Sequence, residues 1–276
     1  MAASIPIRNL WDAQFAREVR ARIFPAARPS IPGLDYYSDW RPARNGMPAG
    51  PADYLDCFEM DEGNLGLAIG NVEGVGLHAA FLAASLHSIV HALRFAPFSD
   101  LPDFVTRIDE LFCEICPDNC HAALFVARYD PVRGRMHYVN AGHQPAFVLR
   151  KTASHYRTVR LEAGGTVIGL LHKSPYHQGV LSLNPGDILV APTDGLCEAR
   201  NPRGEMWGWH RFLEAIQTCD YQRARDMVQH VFDAVDAFTE CTPQSEDMTL
   251  WLGRIDEAAT RLTLHVADAA AAPVAA

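Results

Sequence analysis

The order of secondary-structure patterns along the chain is the feature that most limits its fold. Short runs rich in aromatic and branched residues, typical of strands, are interrupted twice by pairs of segments with helical periodicity. We predict helices at 77–95, 101–116, 208–218 and 222–239, followed by a last strand, MTLWLGRI. Because whole runs of strands separate the helical hairpins, antiparallel sheets flanked by helices are favoured over a parallel sheet. The predicted fold class is α+β, a sheet sandwich.

Local turn signals predict how some of these elements are joined. The tetrapeptide DEGN predicts a hairpin between the strands DYLDCFEMD and NLGLAIGNV. The tetrapeptide NPGD predicts a tight turn between the strands expected at 178–183 and 187–192. Ser99 or Asp100 is expected to cap the second helix.

The chain has 276 residues, enough for one large domain with short extensions. Residues 8–24 predict an amphipathic helix, which with a proline-rich linker makes up residues 1–27. The main domain is predicted at 28–255, and 256–276 form a low-complexity tail. The apolar stripe of the first helix allows either a homodimer or docking on its own domain.

Charge and cysteine usage narrow the class of protein. The formal net charge of -9 lacks the basic footprint of a nucleic-acid binder or of a protein that binds anionic membranes. The 7 cysteines, an odd number scattered through predicted helices and strands, favour reduced thiols. No signal-peptide or membrane-span pattern is present, so a cytoplasmic location is expected.

Several carboxylates lie where predicted strands begin or end, which is where a sheet sandwich can direct side chains into a shared cleft. Taken singly, such acids are common at caps and turns. Hard divalent cations such as Mg²⁺ or Mn²⁺ prefer oxygen ligands from one to a few carboxylates. As a set these acids predict a cation site; they are Asp53, Asp56, Asp194, Glu246 and Asp247.

Four motifs, in order, resemble the SpoIIE/RsbU-type serine phosphatases, bacterial relatives of metal-dependent protein phosphatase 2C. The first, at 49–86, contains DYLDCFEMD and the glycine-rich turn GNVEGVG before a helix of small residues. The others are VNAGHQPAFVLR at 139–150, LNPGDILVAPTDGLCEARNPRGEMWG at 183–208 and QSEDMTLWLG at 244–253. The resemblance covers about residues 28 to 255.

The resemblance implies a four-layer αββα sandwich with a binuclear Mn²⁺ or Mg²⁺ site at one end of its two sheets. The implied reaction is hydrolysis of phosphoserine or phosphothreonine by a metal-activated water, without a covalent enzyme intermediate. The implied substrate is a phosphorylated STAS-type anti-anti-sigma factor in a partner-switching pathway. Matching the family position by position gives the implied metal ligands: Asp53, Asn71, Val72 through its backbone carbonyl, Asp194, Glu246 and Asp247.

Two of these positions depart from the family pattern. Glu246 replaces an aspartate, which keeps the charge and adds one methylene. Asn71 replaces the aspartate that bridges both metals in the family. An amide offers one neutral oxygen and an NH₂ group that repels a cation, so Asn71 puts ordinary two-metal catalysis in doubt.

Three alternatives follow from Asn71. A single metal held by Asp194, Glu246 and Asp53 would support slow hydrolysis. Alternatively, the chain is a pseudophosphatase that binds a signalling partner without turnover. In the third alternative another carboxylate, Asp56 or Glu73, supplies the missing oxygen.

Other candidate sites have competing interpretations. His87 and His91 are four residues apart on a predicted helix and can face one metal, but packing or capping is favoured without a flanking glutamate. His143 is interpreted as part of a sheet element. A C-x₂-C-x₃-C-H cluster suggests zinc or, more simply, the buried stripe of a helix; it comprises Cys113, Cys116, Cys120 and His121. The chain has no Gly-x-Ser-x-Gly elbow, P-loop or Rossmann fingerprint.

Overall fold

A computed structural model describes residues 29–41, 43, 52–60, 63–74, 76–117, 120–152, 156–171, 174–219 and 222–256. The predicted helix at 8–24 and nearly all of the predicted tail lie outside these residues. Within the described part, no helix is both long enough and apolar enough to cross a membrane. The seven cysteines are all free thiols.

The described residues form a series of strands interrupted by helices. The strands are β1 (Leu34–Arg41), β2 (Asp53–Glu59), β3 (Leu65–Val72), β4 (Ala122–Asp130), β5 (Arg135–Ala141), β6 (Phe147–Lys151), β7 (Tyr156–Arg160), β8 (Gly164–Gly165), β9 (Gly179–Ser182), β10 (Ile188–Pro192) and β11 (Met248–Ile255). The helices are α1 (Gly76–Leu93), α2 (Leu101–Ile115), α3 (Asp194–Glu198), α4 (Gly208–Gln217) and α5 (Ala224–Thr239).

The strands form two sheets. Sheet I has the order β1-β11-β10-β6-β7, and sheet II has the order β2-β3-β4-β5-β8, with β9 also paired to β5. All pairings are antiparallel except the short pairing of β5 with β8. The first and last described strands are neighbours, because β1 pairs with β11 along its whole length.

Three apolar clusters hold four layers together. Leu86 of α1 and Phe104 of α2 are buried against the outer face of sheet II. Phe125 and Trp251 are fully buried between the two sheets. Phe232 of α5 packs with the outer face of sheet I, where α4 also lies. The predicted αββα sandwich is therefore confirmed, with one helical pair on each outer face.

The local turn signals are confirmed, with one difference in what they connect. β2 and β3 form the predicted hairpin, closed by the hydrogen bond from Met60 N–H to the Asn64 carbonyl at 2.8 Å. Asp100 caps α2 by accepting from the Asp103 N–H at 3.0 Å. NPGD forms a turn, but β9 joins sheet II while β10 joins sheet I. β10 is buried along its whole length and occupies the middle of its sheet, whereas β9 alternates between exposed and half-buried residues at an edge.

We expect Asp187 in this turn to be a strong determinant of stability. Its buried carboxylate accepts from Arg150 Nη2 at 2.7 Å and from the Asn184 N–H at 2.8 Å. Asp187→Ala leaves both donors without this acceptor and should lower the free energy of unfolding by roughly 2–3 kcal/mol, measured by urea denaturation. Glu162→Ala, which breaks an exposed ion pair with Arg160, should change it by no more than about 0.5 kcal/mol. Equal effects of the two substitutions would contradict this prediction.

Candidate functional site

The predicted ligands come together at one end of the space between the two sheets. Asp53, the first residue of β2, is the direct cross-strand partner of Asn71 near the end of β3. Directly opposed residues in antiparallel strands project from the same face of the sheet. On β3 that face also carries Leu67 and Ile69, which pack between the sheets. Asp53 and Asn71 therefore share the inner face of sheet II.

The Asp53 carboxylate is held by two threonines of sheet I. It is 1 % exposed, and its Oδ2 accepts from Thr193 Oγ1 at 2.8 Å and from Thr249 Oγ1 at 2.6 Å. Its other oxygen, Oδ1, is buried, and no donor among the described residues reaches it. A buried carboxylate oxygen without a partner is costly unless a proton or a cation binds there. The site thus has an oriented oxygen available to a cation.

The surrounding acids raise the proton affinity of this carboxylate. Burial, followed by the negative charge of Asp247, raises the pKa of Asp53 to about 8, although the two threonine hydroxyls act in the opposite direction. Asp194 adds a smaller repulsion. Burial and the charge of Asp194 also raise the pKa of Glu246. These acids repel one another, and a divalent cation would offset that repulsion.

A glycine allows Asp194 and Glu246 to approach each other. A Cβ on Gly195 would lie 2.1 Å from the Asp247 carbonyl oxygen and 2.9 Å from Glu246 Cβ, so any larger residue would collide there. The start of α3 therefore lies directly against the turn that precedes β11. Asp194 and Glu246 are both exposed at this end of the sandwich. The Asp-Gly pair of the sequence motif thus has a steric reason.

Asp247 has a different position from the other acids. Its carboxylate is buried and accepts from the backbone N–H groups of Ala43 at 2.8 Å and Ala52 at 2.9 Å. These contacts hold Ala43 and Ala52, two described residues that precede β2, against the start of β11. The Val72 N–H donates to the carbonyl of Ala52 at 3.0 Å, so the end of β3 is tied to Ala52 as well.

The two carboxylates proposed to replace the missing oxygen of residue 71 lie elsewhere. Asp56 projects from the face of β2 opposite to Asp53, toward α1, where it contacts His91 Nε2. Because successive side chains of a strand alternate between faces, the hypothesis that Asp56 substitutes at Asn71 is wrong. Glu73 is exposed and pairs with His121 Nδ1 at 2.8 Å.

The cysteine cluster does not form a converging ligand group. Among the described residues, the group of three ligand atoms within 4.8 Å of one another is Asp56, His87 and His91. Burial raises the pKa of Cys116 to about 11, so its thiol stays protonated at neutral pH. Cys120 Sγ is 3.8 Å from His78 Nε2, a contact that the sequence analysis did not anticipate.

His143 is a buried, neutral histidine near the candidate site. Burial lowers its pKa to about 4, although the charge of Asp194 acts in the opposite direction. Its Nδ1 is 2.7 Å from the Gln144 carbonyl oxygen. His143 lies in the connection between β5 and β6 and not in a strand, so its interpretation as part of a sheet element is wrong.

Sequence reasoning missed Thr193 and Thr249 as residues of the site. Both lie inside recognised motifs, Thr193 directly before Asp194 and Thr249 two residues after Asp247. The Thr249 N–H also donates to Thr193 Oγ1 at 2.9 Å, which fixes the orientation of that hydroxyl. The Thr-Asp-Gly and Asp-x-Thr patterns were the available signal, since hydroxyls beside strand-end acids are natural donors to a third carboxylate.

Curated proteins similar to this chain include IcfG and RsbU. Protein IcfG of Synechocystis sp. is 22% identical over 271 residues, covering 88% of this chain and 41% of IcfG. Phosphoserine phosphatase RsbU of Bacillus subtilis is 26% identical over 188 residues, covering 64% of this chain and 52% of RsbU. The chain thus spans about half or less of the length of these relatives.

The fold and a family model agree with these similarities. The solved SiaA-PP2C domain of Pseudomonas aeruginosa matches with a TM-score of 0.75 and 17% identity, covering 93% of this chain and 100% of that domain. This likeness shows that the two chains share a fold. Residues 61–256, well over half of the chain, match the model of Stage II sporulation protein E (SpoIIE). The chain belongs to the SpoIIE family.

Proposed function

We propose that this chain is a metal-dependent protein serine/threonine phosphatase whose site holds one divalent cation, Mn²⁺ or Mg²⁺, more firmly than a second. The observation that carries the proposal is the buried, unpartnered Oδ1 of Asp53, which shares a sheet face with Asn71. Asp194 and Glu246 add negative charge from the side of sheet I. Carboxylate oxygens are the donors that these hard cations prefer, so the residues fit one such ion.

The residues of the chain have separate tasks in this proposal. Thr193 and Thr249 fix the Asp53 carboxylate, so that Oδ1 is the oxygen left for the cation. Asp194 and Glu246 are exposed, at the end of the sandwich where a phosphoprotein can approach. When bound, the cation supplies a nucleophilic water at neutral pH and offsets charge on the phosphoryl oxygens.

We propose a phosphorylated STAS-domain protein of a partner-switching pathway as the substrate. Support comes from the four ordered motifs and from the similarity to RsbU, which is named a phosphoserine phosphatase. Asp194 and Glu246 are exposed at this end of the sandwich, which we call the acidic cleft, so their charge repels a phosphate that is not accompanied by a cation. A metal-dependent reaction on a phosphoprotein is consistent with this charge.

A pseudophosphatase is the second candidate, and Asn71 is the observation that favours it. The amide gives the shared face of β2 and β3 one negative charge fewer than the family pattern. In this case the chain binds a phosphoprotein or its dephosphorylated form without turnover.

Phosphate release from a serine-phosphorylated STAS protein, followed during Mn²⁺ titration, separates the two candidates. We expect release that depends on Mn²⁺, is abolished by EDTA, and falls by about 100-fold or more in Asp194→Asn, since one metal-binding charge is lost. Asp233→Asn, on the exposed face of α5, is the matched control and should keep its activity. Binding of the phosphoprotein without release under any divalent metal would support the pseudophosphatase and remove the phosphatase proposal.

We further propose that the chain is a cytoplasmic protein, with 28–255 as its phosphatase-2C-like domain and 1–27 as a dimerising helix and linker. The apolar stripe at 8–24 supports the dimer. Sedimentation of the full chain should give twice the monomer mass, and Phe15→Glu within the stripe should return it to the monomer. A monomeric full chain at all concentrations would contradict the dimer.

A further inference from the structure

Asp56, His87 and His91 form a group on the outer face of sheet II, beneath α1. Their ligand atoms lie within 4.8 Å of one another. We propose that these three side chains bind one transition-metal cation of the zinc class, which links α1 to β2. This site is separate from the acidic cleft, because Asp56 and Asp53 project from opposite faces of the same strand. It does not depend on the proposed phosphatase activity.

One distance between ligand atoms suits a tetrahedral ion, and a second must lengthen to admit one. His87 and His91 are one helical turn apart, so both rings lie on the same side of α1, with centroids 4.1 Å apart. His87 Nδ1 is 3.6 Å from Asp56 Oδ2. In a tetrahedral site with bonds of about 2.0–2.1 Å, neighbouring ligand atoms are roughly 3.4 Å apart. His91 Nε2 contacts the same oxygen directly, so the His91 ring would have to move back before an ion fits between them.

Asp56 and His87 are enclosed by their neighbours, and His91 is partly open to solvent. Asp56 and His87 are each 8 % exposed. The Tyr54 ring meets the His87 ring edge-on at 6.2 Å between centroids, and the Phe58 ring lies 6.0 Å from that of His91. The His91 side chain is 23 % exposed, which leaves a route for an ion and a place for a water as fourth ligand.

One positively charged side chain, that of Arg94, opposes the binding of a cation at this site. Arg94 follows His91 by three residues. It is close enough to Asp56 to stabilise the negative charge of that carboxylate. Its guanidinium is placed over the Phe95 ring, 4.4 Å from the centroid, and it offers no lone pair to a metal. Arg94 therefore lowers the affinity of this site for a cation, because both interact with the negative charge of Asp56.

The donor set determines which metals the site prefers. Two imidazole nitrogens and one carboxylate oxygen suit Zn²⁺, Co²⁺ or Ni²⁺, whereas Mg²⁺ and Mn²⁺ prefer oxygen donors such as those of the acidic cleft. Saturating Mg²⁺ should therefore occupy the cleft and leave this site open to Zn²⁺. Because the ion would bridge a helix and a strand, its binding should also raise the melting temperature of the protein.

Calorimetric titration of the full chain with Zn²⁺ in saturating Mg²⁺ tests the proposal. We expect one tight Zn²⁺ per chain, with affinity lowered by about 100-fold or more in His87→Gln and in His91→Gln, since each removes a ligand. The control His210→Gln removes an exposed histidine of α4 and should leave the affinity unchanged. Substitution by Co²⁺ should give visible absorption bands in the wild type that both ligand variants lose.

Three results would overturn the proposal. The first is unchanged Zn²⁺ affinity in folded His87→Gln and His91→Gln. The second is loss of the tight site in Asp194→Asn, which would place the ion in the cleft. The third does not depend on how the variants fold. Anomalous diffraction at the zinc edge from wild-type crystals should show an ion between the three side chains, and its absence at millimolar Zn²⁺ would refute the site. Loss of phosphatase activity in Asp194→Asn with this zinc site intact would leave the proposal standing.

Discussion

Replacing Asn71 by Asp should strengthen Mn²⁺ binding by on the order of 100-fold and raise phosphate release at limiting Mn²⁺ by a similar factor. The new carboxylate would stand directly across from Asp53 on the inner face of sheet II, where the present amide contributes only one neutral oxygen. A unit charge and a divalent cation about 4 Å apart interact by roughly 8 kcal/mol near a protein surface. Competition from protons, which closely spaced carboxylates bind more tightly, and loss of hydration reduce the gain to about 2–3 kcal/mol.

The same substitution, Asn71→Asp, should destabilise the metal-free protein although it stabilises the Mn²⁺-bound protein. Without a cation, a second carboxylate beside the buried Asp53 adds repulsion, so Asn71→Asp should lower the melting temperature in EDTA and raise it in Mn²⁺. Gln217→Glu, at the exposed end of α4, adds the same charge away from the site and should change neither quantity. Equal Mn²⁺ affinity and turnover in the wild type and Asn71→Asp would show that the amide does not limit metal use.

Short-range patterns predicted most of the fold because the elements they describe are locally determined. The hairpin of β2 and β3 and the Asp100 cap of α2 each depend on residues within one turn. The assignment of β9 and β10 to different sheets depends on which distant strands they meet, and the NPGD turn carries no information about that. The five-residue α3 was not predicted because it is too short to show a helical period.

In the candidate site, too, local features could be predicted from the sequence and contacts between distant residues could not. The pairing of Asp53 with Asn71 follows from a hairpin that the sequence predicts. The threonines that orient Asp53 are 140 and 196 residues away along the chain, so only the packing of the two sheets brings them there. Similarly, the helical spacing of His87 and His91 was visible in the sequence, whereas the carboxylate that completes the group required the position of α1 on β2.

The metal-free chain should be most stable near pH 6.5 and lose about 2 kcal/mol of unfolding free energy between pH 6.5 and 8. The pKa of Asp53 is raised from 3.8 to about 8, so in this window the folded state keeps a proton that the unfolded state has lost. Each pH unit then costs up to about 1.4 kcal/mol. Burial lowers the pKa of His87 and of His143 from 6.5 to about 4, which makes stability rise with pH below 6.5. The decline attributable to Asp53 therefore emerges only above that value.

Urea denaturation in EDTA across this pH range, repeated with saturating Mn²⁺, tests the assignment of the decline to Asp53. A cation bound to the Asp53 carboxylate replaces the proton that the folded state holds in this pH range. The decline of unfolding free energy with pH should therefore vanish with Mn²⁺. It should also vanish in Asp53→Asn, whose amide does not titrate, and persist in Asp233→Asn, which lies exposed on α5. A decline that is the same in all three proteins would mean that other groups titrate in this range. In that case the decline would not report on Asp53, and Mn²⁺ would not act by replacing a proton on its Oδ1 atom.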